Sequence, residues 1–353
     1  MKIGFLVVLL LSLQICQAQN EFRGTIPNRL NEERFVMING IEQWVTIKGD
    51  STRPVILFVH GGPGSPLSPY ADAIYEKWEK DFLLVQWDQR GAGRTYGRNA
   101  PPELTPAYLK SNPLSIEQMT ADGIALTKYL LQHLNKPKII LFGTSWGSVL
   151  GVKMALEKPE LFYAYIGHSQ VVNFPAALLF AYTEVYKMAR DEKDARSINI
   201  LDSIGKPPYQ SARTTGQLMR IIKKYQEKNS IPAPVAWFKP SPGYDNEKDL
   251  QHQSDGDDYS FVNYAGDKNL GVASLGAGIN FLNQEMTFKL PVYFIQGATD
   301  IQTPEVMTRE FYKKIKSANK DFIVLPKTGH GFNELVIDAH YKIMMGFILP
   351  AIK

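Results

Sequence analysis

The chain has 353 residues, of which 44% are hydrophobic and 21% are charged, so it is long enough to bury a sizeable core of one or two domains. Its 39 Lys and Arg residues against 35 Asp and Glu residues give a formal net charge of +4, too small to indicate nucleic-acid binding. The hydrophobic content, with 11% aromatic residues, also excludes a disordered chain.

The N-terminus has the pattern of an export signal. Lys2 is followed by an apolar run over residues 3–13, and Ala18 provides a small residue for cleavage. A positive start, a short apolar run and a small residue at the cut are typical of a secretory signal peptide. The apolar run spans only about 16 Å as a helix, against about 30 Å of bilayer hydrocarbon. We therefore expect residues 1–18 to be removed, the protein to be exported to the periplasm or the medium, and no stable transmembrane anchor.

Cys16 is the single cysteine of the chain. Lipoprotein signals usually place a small residue before the lipidated cysteine, whereas bulky Ile15 precedes this one. Lipid anchoring at Cys16 is therefore not expected. Cleavage after residue 18 would leave a mature chain without cysteine, which excludes disulfides, a thiolate nucleophile and a cysteine-based zinc site.

Strand-like and helix-like segments alternate along the rest of the chain. The first two strands meet at Asn39-Gly40, a dipeptide typical of a hairpin turn. Several later runs are continuously apolar, as strands buried on both faces are. The predicted strands cover residues 35–39, 41–48, 54–60, 82–87, 138–142, 162–167, 291–296 and 321–325.

Helical patterns lie between these strands. Residues 115–134 begin with a Ser-x-x-Gln capping box and place their apolar residues near one face. Thr303 before Pro304 predicts a helix start, with the threonine as cap and the proline in the first helical position. A last helix is predicted over residues 338–349. A hairpin followed by strand–helix alternation indicates an α/β fold, with a mostly parallel sheet and helices on both faces.

One segment interrupts the alternation. Residues 170–289 contain helical and loop-like patterns, including an acidic loop over residues 255–258, and no convincing buried strand. An insertion of this size between two sheet strands indicates a mainly helical cap domain, and we call it the cap segment. The predicted core is therefore divided into residues 19–169 and residues 290–353.

The sequence Gly-Thr-Ser-Trp-Gly at residues 143–147 carries the strongest chemical signal. It follows a predicted strand and precedes a helical run. Gly-x-Ser-x-Gly in this context is typical of a nucleophile elbow, a sharp turn that exposes the serine. Ser145 is therefore the candidate nucleophile, and the backbone N–H of Trp146 is a candidate donor to an oxyanion. The alternative is an ordinary glycine turn.

A second glycine-rich sequence, HGGPG at residues 60–64, directly follows another predicted strand. Acyl transfer needs two donors to the developing negative charge, and hydrolases with a nucleophile elbow take the second donor from such a loop. The backbone N–H of Gly62 is the candidate. His60 and Gly61, in the same loop, are expected to contact the substrate. A loop whose glycines only turn the chain is the alternative.

A serine nucleophile also needs a base and an orienting carboxylate, which follow the serine in the order Asp, His. His330 lies in a loop after a predicted strand, where it could reach the serine, whereas His340 falls in the predicted last helix. His168 and His252 are less suitable, being early in the chain and in the polar part of the cap segment, respectively. His330 is therefore the candidate base.

Asp300 is the candidate carboxylate. It follows the apolar run over residues 291–296 and precedes the predicted helix start. In this role it would hold the imidazole of His330 in one tautomer and stabilise the imidazolium form. A helix-capping aspartate is the alternative.

In combination, these motifs resemble the proline iminopeptidase group of α/β-hydrolases. The resemblance rests on HGGPG, DQRGAGRT at residues 88–95, GTSWGS, GATDIQTP and TGHGF, and covers roughly residues 35–170 and 288–350. It implies an α/β-hydrolase fold, a catalytic triad and an oxyanion hole. The implied residues are Ser145, Asp300 and His330 for the triad and Gly62 and Trp146 for the oxyanion hole. We expect residues 88–95 to be structural, with Arg90 and Asp88 in a network that braces the cleft.

The resemblance also implies a substrate. Proline iminopeptidases release an N-terminal residue, and they bind its free amino group with acidic residues supplied largely by the cap. Glu184, Glu192 and Glu285 lie in the cap segment, and we take Glu184 as the candidate. The expected partner is a short peptide or an amino-acid amide or ester. A carboxylesterase acting on small esters and a non-catalytic ligand-binding member of the fold are the alternatives.

Other signals are weak. Residues 271–278 have glycine spacing vaguely like that of a nucleotide loop, but lack the Gly-Lys-Ser/Thr of a P-loop. We found no metal-ligand spacing, so we expect no metal and no cofactor. An epoxide hydrolase would place an aspartate where this chain has Ser145. No pattern assigns an oligomeric state.

Overall fold

The computed structural model describes residue 26 and residues 28–352. The expected signal peptide and Cys16 lie outside these residues. One eight-stranded sheet runs through the described part of the chain. Its strands are β1 (Arg29–Ile38), β2 (Ile41–Asp50), β3 (Val55–Val59), β4 (Leu83–Trp87), β5 (Ile139–Thr144), β6 (Phe162–His168), β7 (Val292–Gly297) and β8 (Lys320–Leu325).

The strands lie in the order β1-β2-β4-β3-β5-β6-β7-β8. The first two form an antiparallel hairpin, β2 pairs antiparallel with β4, and the six strands from β3 to β8 are parallel. At the hairpin turn, Asn39 and Gly40 have φ values of 44° and 86°, which asparagine and glycine tolerate best. The mostly parallel sheet predicted from the sequence is confirmed, and the strand limits differ from the predicted ones by a few residues, most at the start of β1.

Helices cover both faces of this sheet, as predicted. Successive residues of β3 point alternately into two separate hydrophobic clusters. One cluster lies against the two helices on either side of β5 in the sequence, and the other lies against the last α-helix. The α-helices are α1 (Ala71–Tyr75), α2 (Gly93–Asn99), α3 (Pro106–Ser111), α4 (Ile116–His133), α5 (Trp146–Glu157), α6 (Phe174–Asp191), α7 (Ala195–Ile204), α8 (Ala212–Lys228), α9 (Glu247–Ala265), α10 (Glu305–Lys314) and α11 (Glu334–Ile343).

Three details differ from the sequence predictions. The last α-helix begins at Glu334, four residues early, because the side chain of Asn333 accepts a hydrogen bond from the backbone N–H of Val336 and caps it. Helix α10 begins at Glu305 rather than at Pro304. The acidic residues 255–258, expected in a loop, lie within α9, where Asn246 supplies the cap.

Within the described residues, the cap segment contains α6 to α9. Helices α6, α7 and α8 share a small hydrophobic core of their own, and Ile301, which follows β7, is part of it. The fourth helix, α9, instead packs against α2 and the glycine-rich loops of the sheet. A Cβ added at Gly64 would lie 2.5 Å from the Cα of Asp257 in α9, so the two backbones touch. No helix of residues 28–352 combines the length and hydropathy needed to cross a bilayer.

Arg94 connects α2 to the cap segment. Its guanidinium group lies 3.9 Å from the ring centre of Tyr244 and 4.6 Å from that of Trp44. It donates to both carboxylate oxygens of Asp249, at 2.8 and 2.7 Å. A bidentate, aromatic-stacked arginine is a specific and rigid contact. The network expected between Arg90 and Asp88 is not formed, because Arg90 binds Asp122 instead.

Asp88 is a buried carboxyl group beside this contact. It accepts hydrogen bonds from the hydroxyl of Ser68 at 2.5 Å and from the backbone N–H of Arg94 at 2.9 Å. Burial raises the pKa of Asp88 to about 7, against the lowering effect of those two donors. The Asp88 carboxyl group therefore stays protonated in the folded protein up to about pH 7, whereas in the unfolded chain it loses this proton at lower pH.

Helix α5 packs against β3 at Gly147. A Cβ at this position would overlap the backbone of Val59 and lie 2.6 Å from the carbonyl oxygen of His60. We expect Gly147→Ala to lower the free energy of unfolding by about 3 kcal/mol, because the helix must move away from the sheet. Gly278→Ala, with no atom near the added methyl group, should change it by less than about 0.5 kcal/mol. Equal urea midpoints for the two variants would contradict this packing.

Replacing Asp88 by Asn should change how stability depends on pH. A carboxyl group whose pKa is raised on folding stabilises the protein below its unfolded pKa, and that contribution is lost as pH rises through about 7. Between pH 4 and pH 7, the free energy of unfolding of Asp88→Asn should therefore rise by roughly 2–4 kcal/mol relative to that of wild type, since Asn keeps an acceptor oxygen without the charge. Urea unfolding at three pH values measures this. Exposed Asp245→Asn is the control, and parallel pH profiles for the Asp88 variant and wild type would refute the expectation.

Candidate active site

Ser145 lies in the sharp turn between β5 and α5. Its φ of 52° is in the left-handed region, where a serine is strained. Its backbone N–H donates to the carbonyl oxygen of His168 at the end of β6, at 3.0 Å. Gly143 and Gly147 lie so close that a Cβ on Gly143 would be 2.7 Å from the Gly147 carbonyl oxygen. The turn therefore holds the serine hydroxyl at the carboxyl end of the parallel strands.

The structure brings the three residues proposed as a triad together. His330 Nε2 lies 2.8 Å from the hydroxyl oxygen of Ser145. On the other side of the ring, Nδ1 lies 3.0 and 3.2 Å from the two carboxylate oxygens of Asp300. The loops after β5, β7 and β8 supply the three side chains. This arrangement can pass a proton from the hydroxyl to the imidazole while a carboxylate stabilises the imidazolium.

The carboxylate of Asp300 is buried and held by several donors. The backbone N–H groups of Gln302 and Thr303 each donate to it at 2.9 Å, and the amide of Gln296 donates at 3.0 Å. Burial opposes the charge, yet the neighbouring His330 and the Thr303 hydrogen bonds together hold the pKa of Asp300 below its usual value. Asp300 is therefore ionised at neutral pH.

Thr303 is a member of this site that the sequence analysis misassigned. Its hydroxyl donates to Asp300 at 2.7 Å and lies 3.2 Å from His330 Nδ1, so it does not cap α10. Because the helix starts two residues later, the threonine is free to close the turn begun by Asp300. The Asp-x-x-Thr spacing is the signal that could have pointed to this turn.

Gly62 and Trp146 are the two residues whose backbone N–H groups are the candidate oxyanion donors. Gly62 has a φ of 107° and lines the same cavity as Ser145. Trp146 is the first residue of α5, and its buried indole N–H donates to the side chain of Gln89 at 3.1 Å. Backbone N–H groups at the start of a helix and in a positive-φ glycine turn can both stabilise a negative oxygen.

His60 and Gly61 are the first two residues of the HGGPG loop. The Nδ1 atom of His60 lies 2.7 Å from the carbonyl oxygen of Gly61, and its Nε2 accepts from the backbone N–H of Gln89 at 3.2 Å. Burial lowers the pKa of His60 to about 4, so the ring is neutral. A Cβ on Gly61 would lie 3.1 Å from Ser145 Cβ. Gly61 therefore packs against the serine, but neither His60 nor Gly61 lines the cavity of Ser145, where the sequence analysis had expected them to contact the substrate.

The other candidate histidines do not contact the serine hydroxyl. His168 and His340 are both buried. The ring centre of His168 lies 5.0 Å from that of His340 and 5.2 Å from that of Phe332. Burial lowers the pKa of His168 to about 3 and that of His340 well below its usual range. His252 lies beside Gly97 of α2. Among the histidines considered, His330 therefore remains the candidate base.

A cavity of about 400 Å³ opens in front of Ser145 and His330. It has two charged residues in its lining, Lys223 of α8 and Asp257 of α9. Asp257 accepts a hydrogen bond from the hydroxyl of Ser65 in the HGGPG loop region, at 2.7 Å. The apolar lining of the cavity includes Val172, Phe174, Met219, Phe261 and Tyr264.

Glu184, the candidate for binding an amino group, faces a different cavity. That cavity has a volume of about 490 Å³ and lies on the far side of the Asp300 loop.

Asp257 is the acidic residue of the cap segment that lines the cavity of Ser145, and the sequence analysis missed it. Nothing in the sequence distinguishes it from Asp255 and Asp258, since only the direction of α9 selects which of them faces the serine. No group of three metal-ligating side chains occurs in the described residues.

Comparisons with known proteins agree with this fold. The sequence profile of the alpha/beta hydrolase fold family matches residues 54–335. "Probable aminopeptidase YbaC" of Bacillus subtilis (strain 168) is 27% identical over 306 residues, which cover 85% of this chain and 88% of that protein.

Two solved structures show the same fold at low sequence identity. The proline iminopeptidase of Mycobacterium smegmatis superposes with a TM-score of 0.62 at 16% identity, over 91% of this chain and 98% of that one. The epoxide hydrolase VrEH1 of Vigna radiata superposes with a TM-score of 0.51 at 21% identity, over 90% and 99%. Residues 54–335, which the family profile matches, contain the HGGPG loop, the serine turn and the loops of Asp300 and His330. The chain therefore belongs to the alpha/beta hydrolase fold family.

Proposed function

We propose that this chain is a serine hydrolase that releases an N-terminal residue, proline among those accepted, from short peptides or amino-acid amides. The observation that carries the proposal is the chain of hydrogen bonds from Ser145 through His330 to Asp300, on the wall of a cavity of about 400 Å³. A cavity of that size accommodates a small substrate. The similarity to a probable aminopeptidase over 85% of the chain supports the choice of peptides.

The proposal includes the organisation of the chain. Residues 19–169 and 290–353 form the hydrolase core, and the cap segment covers the cleft. Residues 1–18 direct export and are then removed, so that the mature enzyme acts outside the cytoplasm.

In the acylation step, the Ser145 oxygen forms a bond to the substrate carbonyl carbon while its proton moves to His330 Nε2. The carbonyl oxygen becomes negative and is stabilised by the N–H groups of Gly62 and Trp146. Asp300 stabilises the imidazolium. The tetrahedral intermediate then breaks its bond to the leaving amine, which takes the proton from Nε2.

In the deacylation step, water takes the place of the amine. His330 Nε2 removes a proton from the water, whose oxygen bonds to the acyl carbon, and the same two N–H groups stabilise the second tetrahedral intermediate. When the bond to Ser145 breaks, the serine oxygen recovers its proton from Nε2. The N-terminal residue leaves as a free amino acid, and the enzyme returns to its starting state.

Asp257 is the residue that we propose binds the substrate's ammonium group. It lines the cavity of the serine, and its hydrogen bond from Ser65 fixes one oxygen while the other stays available. A charged hydrogen bond of this kind contributes about 1.5–3 kcal/mol. Asp257 takes the ammonium-binding role that the sequence analysis gave to Glu184, because Glu184 lines a separate cavity. A carboxylesterase is the second candidate, because much of the remaining lining is apolar.

Ser145→Ala should abolish labelling by a fluorophosphonate probe and lower hydrolysis of aminoacyl-arylamides by at least about 10³-fold, since the nucleophile is lost. Exposed Ser203→Ala, on α7, is the control and should behave as wild type. Rates measured on a panel of aminoacyl-arylamides and p-nitrophenyl esters separate the two candidates. A preference for short-chain esters without arylamide turnover would identify an esterase, and absence of wild-type labelling would refute a serine enzyme.

Asp257→Asn should raise the KM for aminoacyl-arylamides and lower kcat/KM by about 10–100-fold, because the ammonium group loses a charged partner. Hydrolysis of p-nitrophenyl acetate, which has no amino group, should change by less than about twofold. Asp258→Asn, the next residue on α9 and outside the cavity lining, is the matched control. An equal loss on both substrate types would show that Asp257 does not bind the amino group.

A further inference from the structure

The last turn of α8 reaches from the cap segment to the two loops that carry Asp300 and His330. Ile301, the residue after Asp300, is 5% exposed and packs within the hydrophobic core shared by α6, α7 and α8. The loop that holds the carboxylate is therefore built partly into the cap segment rather than resting on the sheet alone.

Gln226 occupies the space between these two loops. Its side-chain carbonyl oxygen accepts a hydrogen bond from the backbone N–H of Ile301 at 3.0 Å. A Cβ added at Gly329, the residue before His330, would lie 2.6 Å from Gln226 Cγ and 2.9 Å from its amide nitrogen. The Gln226 side chain is 9% exposed. It thus contacts the immediate neighbour of Asp300 on one side and that of His330 on the other.

The residues after α8 continue the same contact. The hydroxyl groups of Ser230 and Thr299 lie 2.9 Å apart, so the residue before Asp300 is held as well. The backbone N–H of Ile231 donates to the carbonyl oxygen of Lys327 at 2.7 Å, three residues before His330. Both loops are therefore hydrogen-bonded to one short stretch, residues 226–231.

We infer that Gln226 is a positioning residue that sets the distance between the Asp300 carboxylate and the His330 ring. The inference rests on the proposed function. The reason is geometric: the two loops leave different strands, and a spacer hydrogen-bonded to one and packed against the other keeps their separation constant. A displacement of about 1 Å at a catalytic group can lower a rate by up to about 10²-fold. The cap segment thus contributes to turnover as well as to substrate selection.

The test compares Gln226→Met with Gln226→Glu. Methionine keeps the length of the side chain but removes the acceptor of the Ile301 hydrogen bond, whereas glutamate keeps that acceptor. For an aminoacyl-arylamide, Gln226→Met should lower kcat by about tenfold and change KM by less than about twofold, because the substrate cavity is unaffected. Gln226→Glu should retain kcat within about threefold of wild type.

The pH profile provides a second readout. A carboxylate close to the imidazole stabilises its protonated form by charge. If the contact with Asp300 lengthens in Gln226→Met, the acid limb of kcat/KM should move to lower pH, because the protonated ring is then stabilised less. A side chain that serves only to hold the cap segment in place would lower the thermal midpoint without moving this limb.

The control is Gln217→Met, a like change on α8 about 13 Å away along the helix axis. It should leave kcat, KM and the pH profile as in wild type. If Gln226→Met does not fold, Ser230→Ala replaces it and should lower kcat by about threefold at constant KM, through loss of the Thr299 contact.

The outcomes are distinguishable. A wild-type kcat and pH profile in the folded Gln226 or Ser230 variant, or the same loss in Gln217→Met, overturns the inference. Equal loss of kcat in Gln226→Met and Gln226→Glu also overturns it, because the acceptor oxygen would then be irrelevant. If Ser145→Ala keeps full turnover, the proposed function fails instead. If Ser145→Ala is inactive and Gln226→Met is unchanged, only the positioning role is refuted.

Discussion

The hydrogen bond between the Ser145 hydroxyl and the His330 ring joins two loops that leave the sheet with two strands between them. Parallel pairing of β3 to β8 brings the carboxyl ends of all these strands to one edge, which is what makes such a contact possible. The serine must still rise above that edge, and it does so through a strained turn at φ 52°. Tight packing of α5 on β3 at Gly147 keeps the turn from relaxing. The remainder of the site is arranged around this contact.

The cap segment meets this edge in two different ways. Helix α9 is joined to the core by the stacked, bidentate contact between Arg94 and Asp249 and by glycine contacts that leave no room for a side chain. Helices α6 to α8 share a core of their own and meet the sheet through Ile301 and the last turn of α8. The first contact fixes a wall of the cavity in front of Ser145, and the second fixes the loops that carry Asp300 and His330.

Short-range patterns explain what the sequence predicted well. The Asn39-Gly40 turn, the continuous apolar strands and the Gly-x-Ser-x-Gly elbow depend on neighbouring residues, and the mostly parallel sheet follows from the strand–helix alternation. The Asp300–His330 pairing was inferred because both residues follow strands. Thr303 and Asp257 were misread because their roles depend on where a helix begins and which way it faces. The partner of Arg94 lies 155 residues away in the sequence, beyond any local pattern.

The close approach of α9 to the HGGPG loop has an evolutionary consequence. Gly64 touches the backbone of Asp257, so a shift of this helix would move the loop of Gly62 as well. The Ser260 hydroxyl also donates to the Gly91 carbonyl oxygen at 2.7 Å, which joins the same helix to the loop before α2. A shift that adapted this wall to a new ligand would displace the Gly62 amide as well. The part of the cavity lining that α8 contributes, Met219 among it, is therefore less constrained than the part on α9.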